Sequence, residues 1–154
     1  EGFAHRNGGL EKDYDKGAIS TEALNHEKMV KTRAEKVNYI SNVIPDVEVL
    51  GDKDADLLVI GWGSTMGYLA SAVEELNKQG KKTALAQFTY INPLPKNTDE
   101  VIRRYKKVVV CELNTGQFAT YLRSHVQGVE FLQYNKIQGH PFTIAELVEN
   151  LQTI

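Results

Sequence analysis

Leu57-Leu58-Val59-Ile60-Gly61-Trp62-Gly63-Ser64-Thr65-Met66-Gly67 is the stretch that decides the fold. Four apolar residues without a polar break read as a strand buried on both faces. The glycine-rich turn opens a helix whose Met66, Leu69, Ala70, Val73 and Leu76 share one face before Gly80 stops it. Strand, turn and helix in this order begin an α/β sheet.

Downstream the alternation repeats. Residues 83–88 read as a second strand, 98–105 as a short helix capped by Thr98, 108–111 as a third strand and 117–126 as a third helix. Residues 129–134 supply one more strand. Thr143 and Glu146 form a Thr-x-x-Glu capping box that opens a last helix with Ile144, Leu147, Val148 and Leu151 inward. Such alternation predicts an α/β fold with three layers, α/β/α, around a mostly parallel sheet.

Upstream, residues 47–50 alternate as a short edge strand, and 51–56 form a polar turn. Over residues 22–44, Val30, Ala34, Val37, Ile40 and Ile44 recur at spacings of 3 and 4. This predicts a helix with one buried stripe, ended by Pro45. Residues 1–21 hold four of the twelve glycines among charged residues. They read as an extended arm with no core, lying on something else. The organisation expected is thus an arm (1–21), a leading helix (22–45) and an α/β domain (46–154). The opening Glu1 and the run from Gly2 to Asn7 read like the interior of a longer polypeptide.

Composition excludes several classes. A chain of 154 residues forms one compact unit with at most an appended arm, and near this length ~68–70% of the unfolded surface is buried on folding. Eighteen basic against twenty acidic residues give a net charge of −2, which argues against a nucleic-acid or anionic-membrane partner. The single Cys111 allows no internal disulfide and cannot supply the four thiolates of a typical iron–sulfur cluster, so a redox centre would lie on another chain. The longest apolar run falls far short of the ~20 residues that span a bilayer, and a reducing cytoplasm is the expected compartment.

Two loops carry the candidate chemistry, because open α/β sheets bind ligands beyond the carboxyl ends of their strands. In the first, Gly63, Ser64 and Thr65 stand at a helix start that attracts anions. That effect reaches ~2 kcal/mol at best, against ~8 for micromolar binding. The second strand ends in Phe88-Thr89-Tyr90-Ile91 with no acid for a ribose, so NAD is disfavoured. A P-loop lysine and a Gly-x-Ser-x-Gly elbow are both missing. Two readings stand: ligand contact, or glycines that admit close helix packing while Ser64 or Thr65 caps the helix. In the second loop, Glu112, Asn114 and Gln117 are placed to converge on the same edge. They are also ordinary turn and cap formers, and one carboxylate without a partner does not make a catalytic site.

His5, His26, His125 and His140 show no metal-ligand spacing. His26 is expected on the polar face of the first helix, and Cys111 as a small core residue. Trp62 is a lid on the crevice or an interface anchor, with the interface favoured.

Four patterns occur in order: Gly61-Trp62-Gly63-Ser64-Thr65, Pro93-Leu94-Pro95, Glu112-x-Asn114-x-Gly116-Gln117 and Lys136-x-x-Gly139-x-Pro141-Phe142. Together they resemble the C-terminal part of the alpha subunit of 2-oxoacid:ferredoxin oxidoreductases, most closely those acting on 2-oxoglutarate. Gly9-Leu10-Glu11-x-Asp13, Asn25-His26-x-x-Met29 and Lys31-x-Arg33 extend the resemblance over nearly the whole chain, with Lys12 where relatives commonly carry His.

The resemblance implies a transketolase C-terminal-domain-like fold, a five-stranded sheet with residues 47–50 as its antiparallel edge. It implies a whole enzyme that uses thiamine diphosphate, Mg2+, iron–sulfur clusters and coenzyme A to turn a 2-oxoacid into acyl-CoA and CO2 while reducing ferredoxin. The thiamine sites of that family lie on another alpha domain and on the beta subunit. This chain lacks a Gly-Asp-Gly followed by paired asparagines, so a noncatalytic assembly domain is expected, with no catalytic residue or metal ligand of its own. Its implied partners are the rest of the alpha subunit, the beta subunit and, through the whole enzyme, ferredoxin. A free-standing nucleotide- or CoA-binding domain is the alternative.

Overall fold

A computed structural model describes residues 8–154, and His5 with the opening run lies outside the described residues. The chain divides into two compact units, Glu1–Val43 and Ile44–Ile154.

In the first unit the arm makes a tight turn. Lys12 and Ile19 form an antiparallel bridge, and the Asp13 carboxylate accepts from the Asp15 and Lys16 N–H groups at 3.1 and 2.8 Å. Helix α1 (Ala23–Tyr39) follows, with a 3-10 turn over Ile40–Asn42. The arm lies on this helix. Glu11 accepts from Arg33 Nη1 and Nη2 at 2.9 and 3.1 Å, and His26 Nδ1 sits 2.8 Å from Glu11 Oε2. The Asn25 amide donates to Lys12 O at 2.8 Å and accepts from Tyr14 N at 2.9 Å. Glu11, Asn25, His26 and Arg33, two of them 22 positions apart in sequence, thus form one clasp.

The expected buried stripe of α1 is a correction. None of its residues is buried, and Val30, Val37 and Ile40 are exposed. Period 3.6 marks one face as apolar, but burial needs a second surface to cover it.

The second unit holds five strands, β1 (Val49–Gly51), β2 (Leu57–Trp62), β3 (Thr83–Phe88), β4 (Lys107–Glu112) and β5 (Phe131–Asn135). Their order is β1-β3-β2-β4-β5, antiparallel between β1 and β3 and parallel elsewhere. Helices α2 (Met66–Lys78), α3 (Thr98–Arg103), α4 (Gln117–His125) and α5 (Ile144–Gln152) cover it. Successive side chains of a strand leave opposite faces. Leu57 and Val59 therefore join Leu69, Val73 and Leu76 of α2 and Leu147 and Leu151 of α5 in one core, while Leu58 and Ile60 join Val101, Ile102, Phe118 and Leu122 of α3 and α4 in the other. Two covered faces explain why the strand reads as an unbroken apolar run.

Local expectations shift at element ends. The edge strand runs over Val49–Gly51 rather than 47–50; Val47 is instead buried, its N–H bonded to the Asn97 side chain at 2.8 Å. Thr98 is the first helical residue of α3 rather than its cap, and its hydroxyl donates to Pro95 O at 2.6 Å. Met66 and Ile144, each the first residue of its helix, are exposed and not inward. The Thr143 cap forms as expected, accepting from Glu146 N at 3.2 Å. Among the described residues no helix is long and apolar enough to cross a membrane.

Candidate functional site

The strand order reverses at β2, with β3 on one side and β4 on the other, so the loops after β2 and β4 leave towards α2 and α4 on opposite faces. A crevice is expected between them. Register fills it. Ile60 pairs with Val110, both facing the α3/α4 core, and two residues further on Trp62 and Glu112 point the same way. The Trp62 indole Nε1 donates to Glu112 Oε2 at 3.2 Å, and the indole lies 6.1 Å from the Phe118 ring of α4.

Glu112 is fully buried. Besides the indole, its carboxylate accepts from Asn114 Nδ2 at 3.0 Å, Phe118 N at 2.9 Å and Ala119 N at 2.9 Å. The last two are first-turn N–H groups of α4, which have no partner within the helix. Asn114 Oδ1 takes two more donors, Gly116 N at 2.7 Å and Gln117 N at 3.1 Å. The start of α4 is thus closed by an internal anion in a favourable dipole position. Gly116 is required here: its φ is +96°, and a Cβ would meet the Gln133 side-chain amide at 2.1 Å.

Next door, Cys111 is completely buried. Burial first, and then the Glu112 charge, push its thiol far above the ordinary range, which leaves it a core residue without thiolate chemistry.

The loop after β2 is more open. Gly63 has φ +60°, no atom lies within 4 Å of where a Cβ would stand, and Ser64 is exposed. Thr65 is buried and its hydroxyl donates back to Trp62 O at 2.9 Å, so neither Ser64 nor Thr65 caps α2 through its side chain. Gln87, in register with Gly61 on β3, donates from Nε2 to Gly63 O at 3.1 Å and fixes the loop. Gly61 admits the close approach of α2: a Cβ there would stand 2.2 Å from Leu69 Cδ1.

The six candidate residues therefore divide. Glu112 and Asn114 meet, as expected, but their acceptors are taken up by the protein. Thr65 turns inward. Gly63, Ser64 and Gln117 remain exposed at the rim, and the Gln117 side chain does not join the Glu112 cluster. Trp62, expected as a lid or an interface anchor, is half-buried, with its ring packed against the α3/α4 core and its N–H bound within the chain. Gln87 is a residue that sequence reasoning missed. Its signal is a polar residue near the end of an otherwise apolar strand.

A protein-family model of the pyruvate:ferredoxin oxidoreductase core domain II matches residues 55–147, which hold this whole cluster. The chain belongs to that family. Over 147 residues, 95% of the chain, it is 43% identical to the 2-oxoglutarate oxidoreductase subunit KorA of Mycobacterium tuberculosis, where the match covers 22% of the relative. It is 31% identical over 145 residues, 90% of the chain, to subunit alpha of the 2-oxoacid:ferredoxin oxidoreductase 1 of Aeropyrum pernix, covering 23% of that protein. The 2-oxoglutarate:ferredoxin oxidoreductase of Magnetococcus marinus, solved with 2-oxoglutarate, coenzyme A and succinyl-CoA bound, superposes with a TM-score of 0.86 at 30% identity. That match covers 97% of this chain and 26% of the solved one. The chain spans less than a quarter of the length of these curated relatives.

The side chains of core domain II do not suit a diphosphate-bound metal or an iron–sulfur cluster. Among the described residues no three His, Cys, Asp or Glu side chains converge as metal ligands, the lone cysteine is buried, and the best-placed carboxylate, Glu112, has its oxygens occupied. At this sheet edge the Glu112 carboxylate ties β2, β4 and the first turn of α4 together.

Proposed function

We propose that this chain is the C-terminal structural and assembly module of the alpha subunit of a 2-oxoacid:ferredoxin oxidoreductase, with 2-oxoglutarate as the oxoacid. In this reading the whole enzyme forms acyl-CoA and CO2 and passes electrons to ferredoxin. Thiamine diphosphate, Mg2+ and iron–sulfur clusters are held by the rest of the alpha subunit and by the beta subunit, in the cytoplasm. The observation that carries the reading is the saturated Glu112 carboxylate: the acid at the end of β4 is bonded to Trp62 and to the start of α4, which leaves it without a free acceptor for catalysis. The 43% identity with KorA favours 2-oxoglutarate among oxoacids. Gly63, Ser64 and Gln117 are the rim residues left to border coenzyme A or its path.

Co-expression of the chain within its full alpha subunit, together with the beta subunit, tests the proposal. 2-Oxoglutarate- and CoA-dependent ferredoxin reduction is expected, and its absence in a folded complex overturns it. Calorimetry of the 154-residue chain with coenzyme A, ATP and NAD separates the alternative, since heat from any of them would mark a free-standing binding domain.

A further inference from the structure

Between α2 and α5 lies an open groove of about 840 Å3. Its apolar lining is Ile144, Ala145 and Val148 of α5. Its charged lining is acidic, Glu75 of α2 and Glu149 of α5, with no lysine or arginine. Glu75 Oε1 accepts from Gln79 Nε2 at 2.8 Å and Gln79 Oε1 from Gln152 Nε2 at 2.9 Å, so a chain of amides links the two helices. Among the described residues neither Glu75 nor Glu149 has an ion-pair partner.

Helix α1 complements this groove in length and in charge. Val30, Ala34 and Val37 stand at i, i+4 and i+7 on one exposed face. They span about 10 Å at ~1.5 Å per residue, against about 12 Å from Ile144 to Gln152. The helix carries Lys28, Lys31, Arg33 and Lys36 against Glu27 and Glu35. Lys28 lies over the Tyr14 ring, Lys31 pairs with Glu27 and Arg33 with Glu11. That leaves Lys36, one position before Val37, without a partner among the described residues. An apolar helix face of this spacing suits a groove between two helices, and opposite charges at the border select the partner. Pairing of α1 with another α1 would instead bring two helices of net positive charge together.

We propose that α1 of one copy of this chain docks in the α2/α5 groove of a second copy. Val30, Ala34 and Val37 then cover Ile144, Ala145 and Val148, and Lys36 stands beside Glu149. The second copy returns the contact with its own α1, and exchange of one element in this way closes at two copies. The contact supplies the second surface that burial of the α1 stripe needs. It goes beyond the proposed function and does not depend on it, because it involves no ligand, cofactor or subunit other than this chain.

Sedimentation equilibrium of the 154-residue chain across the micromolar range tests the contact. The mass is expected to rise from 17.3 kDa towards twice that value as concentration increases. Ile144→Asp places a charge in the apolar lining at a helix start, where an acid suits the helix itself, and should weaken the dimer several-fold. Lys36→Glu and Glu149→Lys, both at exposed positions, should each weaken it several-fold, and the two combined should restore most of the loss because the pair re-forms with its signs exchanged. A chain that stays monomeric at every concentration overturns the proposal. A dimer that Ile144→Asp leaves intact overturns it in favour of α1 pairing with α1. A double charge variant no stronger than the single ones overturns the placement of Lys36 beside Glu149.

Discussion

Trp62 and Glu112, fifty residues apart in sequence, lie side by side at the ends of two parallel strands and share a 3.2 Å hydrogen bond from the indole to a fully buried carboxylate. The same carboxylate holds the first turn of α4. Strand pairing, helix capping and ring position are therefore coupled through one side chain.

Removing Glu112 should be costly. Glu112→Ala leaves the Phe118 and Ala119 N–H groups and the indole without their partner, at ~1–3 kcal/mol for each buried donor, so a loss of about 3 kcal/mol or more is expected in urea unfolding. Trp62→Phe keeps the backbone bonds and should cost about 1 kcal/mol for the hydrogen bond, besides any packing change. Trp62 is the only tryptophan, so its fluorescence in Glu112→Ala reports the freed indole directly. An Ala variant as stable as the parent would remove Glu112 from its central role.

The two glycines around Trp62 should respond differently. Gly61→Ala places a Cβ 2.2 Å from Leu69 Cδ1, 2.8 Å from Gln87 Oε1 and 2.9 Å from Thr65 Oγ1, an overpacking worth ~1–3 kcal/mol. Gly63→Ala meets no atom and bears only the strain of its φ of +60°, ~1–2 kcal/mol. Thermal melts are expected to rank Gly61→Ala at or below Gly63→Ala, with Gln87→Ala between wild type and both if its bond to Gly63 O fixes the loop.

The clasp between arm and α1 should depend on acid. Arg33 above all, and then His26, hold the Glu11 carboxyl at about 2, below its ordinary 4.5. A lowered carboxylate pKa means that the attachment is fully present above about 4.5 and fades as pH falls towards about 2. NMR titration of the Glu11 side chain should show this midpoint, and Arg33→Ala should return it towards the ordinary value. An unchanged midpoint in that variant would dismiss the bidentate pair.

Cys111 should be silent in the native state. Its burial and its charged neighbour keep it a thiol, so a thiol reagent is expected to label the chain only in denaturant, with one equivalent per chain. Rapid native labelling would show that the β4 end opens far more readily than its bonding implies.

Much of the fold was legible because it rests on short-range patterns. The apolar run 57–60, the glycine-rich turn and the recurrence of strand and helix follow from hydrophobic period and turn chemistry, which are properties of neighbouring residues. Thr143 capped α5 as its Thr-x-x-Glu pattern predicts. Thr98 did not cap α3, because a nearby carbonyl, Pro95 O, took its hydroxyl. The α1 stripe was legible as amphipathic and illegible as buried.

The site was harder to read. Sequence placed Gly63, Ser64, Thr65, Glu112, Asn114 and Gln117 on one edge, but it could not say whether their polar atoms faced a ligand or one another. Parity along β2 and β4 puts Trp62 and Glu112 on a common face once Ile60 and Val110 are known to pair. That register is a long-range fact, absent from either segment alone.

The amino-acid order by itself determined where the chain turns, which faces are apolar and which family its motifs belong to, since each depends on spacings of a few residues. Only the tertiary structure decided that Glu112 gives its charge to Trp62 and α4, that Lys81 meets the end of α5, and that the α1 stripe lies uncovered. A polar atom takes whichever partner the packed fold brings within about 3 Å, and the Trp62–Glu112 and Lys81–Gln152 bonds span 50 and 71 positions.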